Sequence, residues 1–213
     1  MSKSPTQLSH FLILENYFTL IDFSQIFDKN QPLEIDLGCG DGKFVLEMAA
    51  HYPERNFLAI ERLLGRAKKV ARKAQELGLT NLKVLRIESN YLLEWLIPAQ
   101  SVARIHLLCP DPWPKKRHHK NRLLQNEFLD TLANVMHPDQ GEFIFKTDSD
   151  EYFEWGRDLF DTHAKWQWSM LDTQKDLDFY PQTDFELQWL SQGLKLDALT
   201  AKLDTSTLKV STS

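Results

Sequence analysis

The segment Pro110-Asp111-Pro112-Trp113-Pro114-Lys115-Lys116-Arg117-His118-His119-Lys120 joins a carboxylate, a proline-locked turn and an indole ring to a dense cationic run. Pro110 and Pro112 each fix φ, so the backbone on both sides of Asp111 is restrained. The pairing suggests a site that does chemistry on a flat ring and grips a polyanion beside it. Lys115, Lys116, Arg117, Lys120 and Arg122 supply about five fixed positive charges at neutral pH. A charge run is most often a solvated face, but beside an active-site turn phosphate binding becomes the better reading. The adjacent His118 and His119 are flanked by cations and make poor metal ligands, so no metal site is expected.

A second chemical feature is Asp36-Leu37-Gly38-Cys39-Gly40-Asp41-Gly42, an acid followed by GxGxG. Glycines where a strand hands over to a helix allow positive φ and let a ligand approach the backbone closely. The bland alternative is a glycine-rich turn. A dinucleotide fingerprint would need its last glycine at position 43, where Lys43 stands, and that weakens a pyrophosphate ligand. The acid-GxGxG form resembles motif I of class I S-adenosylmethionine-dependent methyltransferases.

Further acids follow the same logic. Glu61, Glu88, Asp111 and Asp148 join Asp36 at or just past the C-terminal ends of five strand-like segments, the edge where open α/β sheets bind ligands. Any one of them is more often a helix N-cap than a ligand. Five together repel one another without a cationic or hydroxyl-rich partner, and S-adenosylmethionine offers a sulfonium, an ammonium and a ribose diol. Glu61 suits the ribose, Glu88 the adenine amino group and Asp36 the methionine ammonium.

The elements that must position these groups alternate. Strands are expected at 33–37, 56–61, 82–87, 103–109 and 141–147, with weaker candidates at 166–171 and 194–199. Helices are expected at 43–50, 62–77, 91–96, 122–136 and 150–160. Gly78 fits as the C-cap of the second helix. Strands separated by helical crossovers imply a parallel sheet with helices on both faces. The chain is read as an N-terminal extension (1–32) able to pack as an appended helix, a core domain (33–199) and a Ser/Thr-rich disordered tail (200–213).

With 213 residues and 42% hydrophobic content the chain can build one sizeable core, and global disorder is excluded. Its 2 cysteines form no CxxC pair, so neither a disulfide framework nor a zinc site is expected. No stretch reads as a signal peptide or a membrane span, and a cytoplasmic protein without membrane partners is the expectation. The net charge of -5 argues against nucleic acid, although local potential rather than the sum governs phosphate binding.

Residues 111–122 (DPWPKKRHHKNR) are similar to the signature of the bacterial tRNA (guanine-N7-)-methyltransferases: Asp-Pro-Trp, Pro or His, then Lys-x-Arg-His-x-Lys-Arg-Arg. Phe57 to Glu61 resembles the family's FxGIE strand, residues 78–84 its GLxNLxV turn, and Lys146-Thr147-Asp148 its KTD strand end. Thr183-Asp184-Phe185-Glu186 resembles its T-x-[YF]-E motif. The resemblance runs from about Leu33 to Gly193. Three positions depart from the family pattern: Asp36 stands for Glu, Cys109 for an aromatic and Asn121 for an arginine.

The resemblance implies a Rossmann-like class I methyltransferase: an α/β fold whose doubly wound, largely parallel sheet ends in antiparallel C-terminal strands. It implies methyl transfer from S-adenosylmethionine to N7 of a variable-loop guanine in tRNA. Cofactor contacts then fall to Asp36, Gly38, Gly40, Glu61, Glu88 and Asp111. Substrate contacts fall to Lys115, Arg117, Asp148, Thr183, Asp184, Phe185 and Glu186. Guanine N7 carries a lone pair and no proton, so no general base is needed and alignment dominates. Positive charge moves into the ring during transfer, and a carboxylate at Asp111 favours it. Trp113 either stacks on the base, walls the pocket or packs in the core. A methyltransferase acting on a small molecule or protein, a silent cofactor- or RNA-binding module, and more distantly a nicotinamide oxidoreductase remain as alternatives. Monomer and homodimer are both compatible with the sequence.

Overall fold

The computed structural model describes residues 9–208. The strands are β1 (Phe11–Leu12), β2 (Leu33–Leu37), β3 (Asn56–Ile60), β4 (Leu82–Leu85), β5 (Val102–Leu108), β6 (Glu142–Thr147), β7 (Trp166–Met170) and β8 (Asp197–Leu203). They form one sheet in the order β1-β4-β3-β2-β5-β6-β8-β7. All pairings from β1 through β6 are parallel, whereas β6–β8 and β7–β8 are antiparallel. The helices are α1 (Lys43–His51), α2 (Leu64–Glu76), α3 (Ser89–Trp95), α4 (Asn126–Val135), α5 (Asp150–Thr162), α6 (Asp184–Ser191) and α7 (Thr205–Leu208).

Two apolar layers sandwich the sheet. Ile35, Leu58, Ile105 and Phe143 pack with Leu92 of α3, Leu129 of α4 and Phe153 of α5. On the other face Phe57, Ala59 and Ile144 pack with Phe44 and Val45 of α1, Val70 and Ala71 of α2, and Tyr180. Strands covered on both faces read as near-continuous apolar runs, which is why β3 and β6 stand out in the sequence. Since side chains alternate along a strand, Glu34, Asp36, His106 and Lys146 all project to the α1/α2 face, with Tyr180 lying over it.

Several local expectations need correction. The N-terminal extension forms no appended helix among the described residues. It contributes β1, an edge strand on β4, and a 3-10 turn at Phe23–Gln25 capped by the Asp22 side chain. The boundary drawn at residue 200 cuts through β8, whose hydrogen-bonded partners continue to Leu203. The rest of that tail beyond residue 208 lies outside the described residues. The cationic run forms a 3-10 segment, Lys116–Asn121, and α4 starts later than expected, at Asn126. α6 was not anticipated as a helix, because Leu187 and Leu190 are exposed and no apolar stripe marks it.

Candidate active site

The glycine loop closes over the end of β2. The N–H groups of Gly38 and Cys39 both donate to the Ile60 carbonyl, at 2.9 and 2.8 Å. Gly42 ends the loop at φ 79° as the N-cap of α1, and a Cβ there would lie 2.5 Å from Val70 Cγ2. Glycine is therefore required at position 42 for both its backbone and its size.

Two adjoining cavities open along the C-terminal ends of the strands and share Gly38, Gly40, Arg66, Leu108 and Cys109. The first, about 500 Å³, is bordered by Asp36, Lys43, Phe44, Thr183, Asp184 and Phe185 as well. The second, about 450 Å³, is bordered by Glu61, Glu88, Asn90, Asp111, Trp113 and Asn121. Each falls in the size range of small-molecule sites. Asp36, Glu61, Glu88 and Asp111 thus reach one cleft, and so do Thr183, Asp184 and Phe185.

Asp36 is buried, and its carboxyl is pushed up to about 7, first by burial and then by the charge of Glu61. Among the described residues no hydrogen-bond donor satisfies it. Glu61 accepts from the Leu63 N–H at 2.6 Å. Glu88 caps α3 through Tyr91 N at 2.8 Å, so the capping role holds whatever else it binds. Burial pushes the Cys109 thiol up to about 12, helped by Asp148 and Glu186, and it pushes Cys39 well above its usual range. Both thiols facing the first cavity are therefore neutral, and neither is an activated nucleophile.

The Asp111 turn is sharply bent. Cys109 and Trp113 bracket it at φ 47° and 46°, in a left-handed region that bulky residues rarely adopt. The Cys109 N–H donates to the Lys146 carbonyl at 2.7 Å, and Arg122 Nε donates to the Pro112 carbonyl at 2.8 Å. Arg122 belongs to the turn rather than to the exposed run. It is buried, with its guanidinium carbon 4.9 Å from the Tyr152 ring centre and 5.2 Å from that of Trp155. Its terminal nitrogens lack a well-directed bond, the nearest anion being Glu151 at 3.2 Å. The phosphate-facing reading of Arg122 is corrected on that ground. Trp113 is half-buried and walls the second cavity, edge-on to His118.

Lys115 and Arg117 are exposed and border neither cavity, nor does the half-buried Asp148. Glu186 also lies behind the cavity wall. Thr183 caps α6 by accepting from Glu186 N at 3.0 Å, while the buried Glu186 carboxylate pairs with Lys146 Nζ. Under the same wall, Glu34 is ion-paired to Arg55 at 2.6 Å and hydrogen-bonded to His106 Nε2 at 2.9 Å. Burial alone would raise Glu34, but the bond from His106 and the cations hold it down to about 2. Burial holds His106 below its ordinary value, so its Nε2–H donates to Glu34 and its Nδ1 accepts from Tyr180. Sequence reasoning missed this chain, Lys43, Asn90 and Lys146. Arg66, which borders both cavities, was missed as well. The i, i+4 relation of Arg62 and Arg66, both on the second cavity, was the available signal.

Among the described residues no helix is long and apolar enough to cross a membrane, and no group of metal-ligating side chains converges.

A family model described as "putative methyltransferase" matches residues 30–199. The chain is 41% identical to the tRNA (guanine-N(7)-)-methyltransferase of Syntrophotalea carbinolica over 70% of this chain and 62% of that protein. It is 30% identical to the Thermotoga maritima enzyme of the same name over 85% of this chain and 57% of that one. The match thus spans about six-tenths of these two relatives. With the Staphylococcus epidermidis protein of that name, identity is 33% over 89% of this chain and 92% of the relative. Among solved structures, the 16S rRNA methyltransferase KamB superposes with a TM-score of 0.60 at 21% identity, covering 85% of this chain and 91% of the other. That likeness shows a shared fold.

Proposed function

Because this chain belongs to the tRNA (guanine-N(7)-)-methyltransferase family, we propose that it transfers a methyl group from S-adenosylmethionine to N7 of a guanine in tRNA, forming 7-methylguanosine. The observation that carries the reading is the cleft in which a glycine loop and the carboxylates of Asp36, Glu61 and Glu88 meet the bent Asp111 turn. When bound, the cofactor supplies an electrophilic methyl group on a sulfonium. The residues present fit it: a buried Asp36 without a donor, next to Glu61, calls for a cation or hydroxyls. Glu61 would hold the ribose hydroxyls, Glu88 the adenine amino group and Asp36 the ammonium.

Guanine N7 needs no deprotonation, so the protein's work is alignment and charge stabilisation. Asp111 accepts no proton and favours the positive charge that builds in the ring. Trp113 shields one side of the second cavity from water. Thr183, Asp184 and Phe185 border the adjoining cavity, where they orient the base, and Asp148, half-buried just past β6 and outside both cavities, is assigned to the substrate by the KTD resemblance. Lys115, at the N-cap of the 3-10 segment, and Arg117, on it, hold backbone phosphates, and the variable-loop guanine is the target the signature implies. The enzyme would act where tRNA is found, in the cytoplasm.

Purified protein is incubated with unmodified tRNA and methyl-labelled cofactor, and the RNA is digested to nucleosides. Labelled 7-methylguanosine is expected. Its absence under conditions where cofactor binds rules the reading out. Product formation should weaken steeply with salt, whereas a small-molecule or protein methyltransferase would show little salt dependence.

A further inference from the structure

Lys146 is the last but one residue of β6, and both of its ends are engaged. Its carbonyl accepts the Cys109 N–H at 2.7 Å, where the chain enters the Asp111 turn. Its ammonium donates to Thr173 Oγ1 at 3.0 Å and to Glu186 Oε1. Lys146, Thr173 and Glu186 are 5%, 4% and 4% exposed, so the pair is withdrawn from water. Glu186 is the third residue of α6, where a capping-box glutamate reaches back to the N-cap N–H. Here its carboxylate turns to Lys146 instead, and Gln182 approaches the same oxygen at 3.4 Å.

One residue therefore ties the Asp111 turn to the helix end that carries Thr183, Asp184 and Phe185 on the cleft rim. A buried ion pair is a weak source of net stability, but it admits few alternative geometries, because a misplaced charge there has no water to turn to. We propose that Lys146 is a positioning residue that fixes the α6 rim relative to the Asp111 turn and thereby sets how the guanine is presented. The proposal rests on the methyltransferase reading for its activity assay, and on hydrogen exchange for a test independent of it.

The experiment compares wild type, Lys146→Met, Glu186→Leu and the double variant. Each single variant strands a buried charge and should melt lower, whereas the double removes both charges and should recover most of the loss. The double is expected to bind S-adenosylhomocysteine like wild type, yet to methylate tRNA about a hundredfold more slowly at saturating cofactor, the scale of a misplacement of about 1 Å. Recovery of turnover together with melting temperature overturns the proposal, because the pair then only stabilises. A loss of cofactor affinity equal to the loss of turnover overturns it as well. Should the double fail to fold, Thr173→Val removes one bond to the ammonium, and the same split between turnover and cofactor affinity is required of it. If wild type itself makes no 7-methylguanosine, the functional reading fails, and amide exchange in Lys146→Met decides the positioning role. The Glu186 N–H should exchange faster while the Gly38 and Cys39 N–H groups stay protected. Equal acceleration at both places refutes it.

Discussion

On one wall of the cleft, Glu61 and Glu88 are tied to backbone N–H groups two and three residues further along the chain. On the other, the Asp111 turn is held by Arg122 from ten residues away, and the α6 rim by Lys146 from forty. The first wall is local in sequence and made largely of backbone, suited to a ligand whose shape does not vary. The second is assembled from β5, β6 and the β7–β8 connection, and its parts meet only when the sheet is complete. Cofactor recognition and substrate presentation should therefore respond separately to substitution.

The largest separation is expected at Asp111. Asp111→Ala should lower turnover on tRNA on the order of 10²–10³-fold, the usual loss when a group facing developing charge is removed. Affinity for S-adenosylhomocysteine, measured by calorimetry, should change far less. Equal losses would show that the two walls act as one. Glu61→Ala is the converse case. Losing hydrogen bonds to a charged group typically costs about 1.5–3 kcal/mol, so cofactor affinity should drop roughly 10–100-fold. Binding of tRNA by a filter assay without cofactor should be unchanged.

A smaller effect should appear at the hinge of the first wall. Gly42→Ala places a Cβ against Val70 in a backbone conformation alanine resists. A loss of about 1–3 kcal/mol in denaturant unfolding is expected from strain and overpacking. Combining it with Val70→Ala should relieve the clash but not the backbone cost, leaving part of the loss.

The same contrast explains what could be read from the sequence. Asp36 to Gly42, Glu61 and Glu88 announce themselves because each sits where a run of apolar residues ends, and β2, β3 and β4 are such runs. On the second wall Asp111 was legible from its proline-locked turn, but Thr183 and Phe185 only through resemblance, since no spacing relates positions so far apart. Glu186 shared that motif, but its pairing with Lys146 depends on β6 and α6 meeting. Arg122 looked like one more cation in a run, and only the packing of Tyr152 and Trp155 shows it to be interior. β1 escaped notice because two residues carry no periodicity, and β8 was anticipated only as a weak candidate ending at 199 because its run to Leu203 is completed by pairing with β6 and β7.

The subtlest test concerns Asp36, which stands at the base of the first wall. Its carboxyl titrates near 7 in the folded chain, against 3.8 for an ordinary aspartate. Between those values the folded protein binds a proton that the unfolded chain has released. Stability from this group is therefore fully present below about pH 4 and declines as pH rises to about 7. Asp36→Asn removes the titration without removing much volume. The variant should melt a few degrees above wild type at pH 8, and the difference should shrink as pH falls toward 4. Cofactor binding should behave oppositely. If the ionised carboxylate meets the methionine ammonium, wild-type affinity weakens as pH drops below about 7, with a proton released on binding, while Asp36→Asn binds more weakly and loses that pH dependence. A wild-type affinity flat from pH 6 to 8 would place the ammonium elsewhere in the cleft and leave Asp36 as a buried carboxyl of β2 with no part in binding.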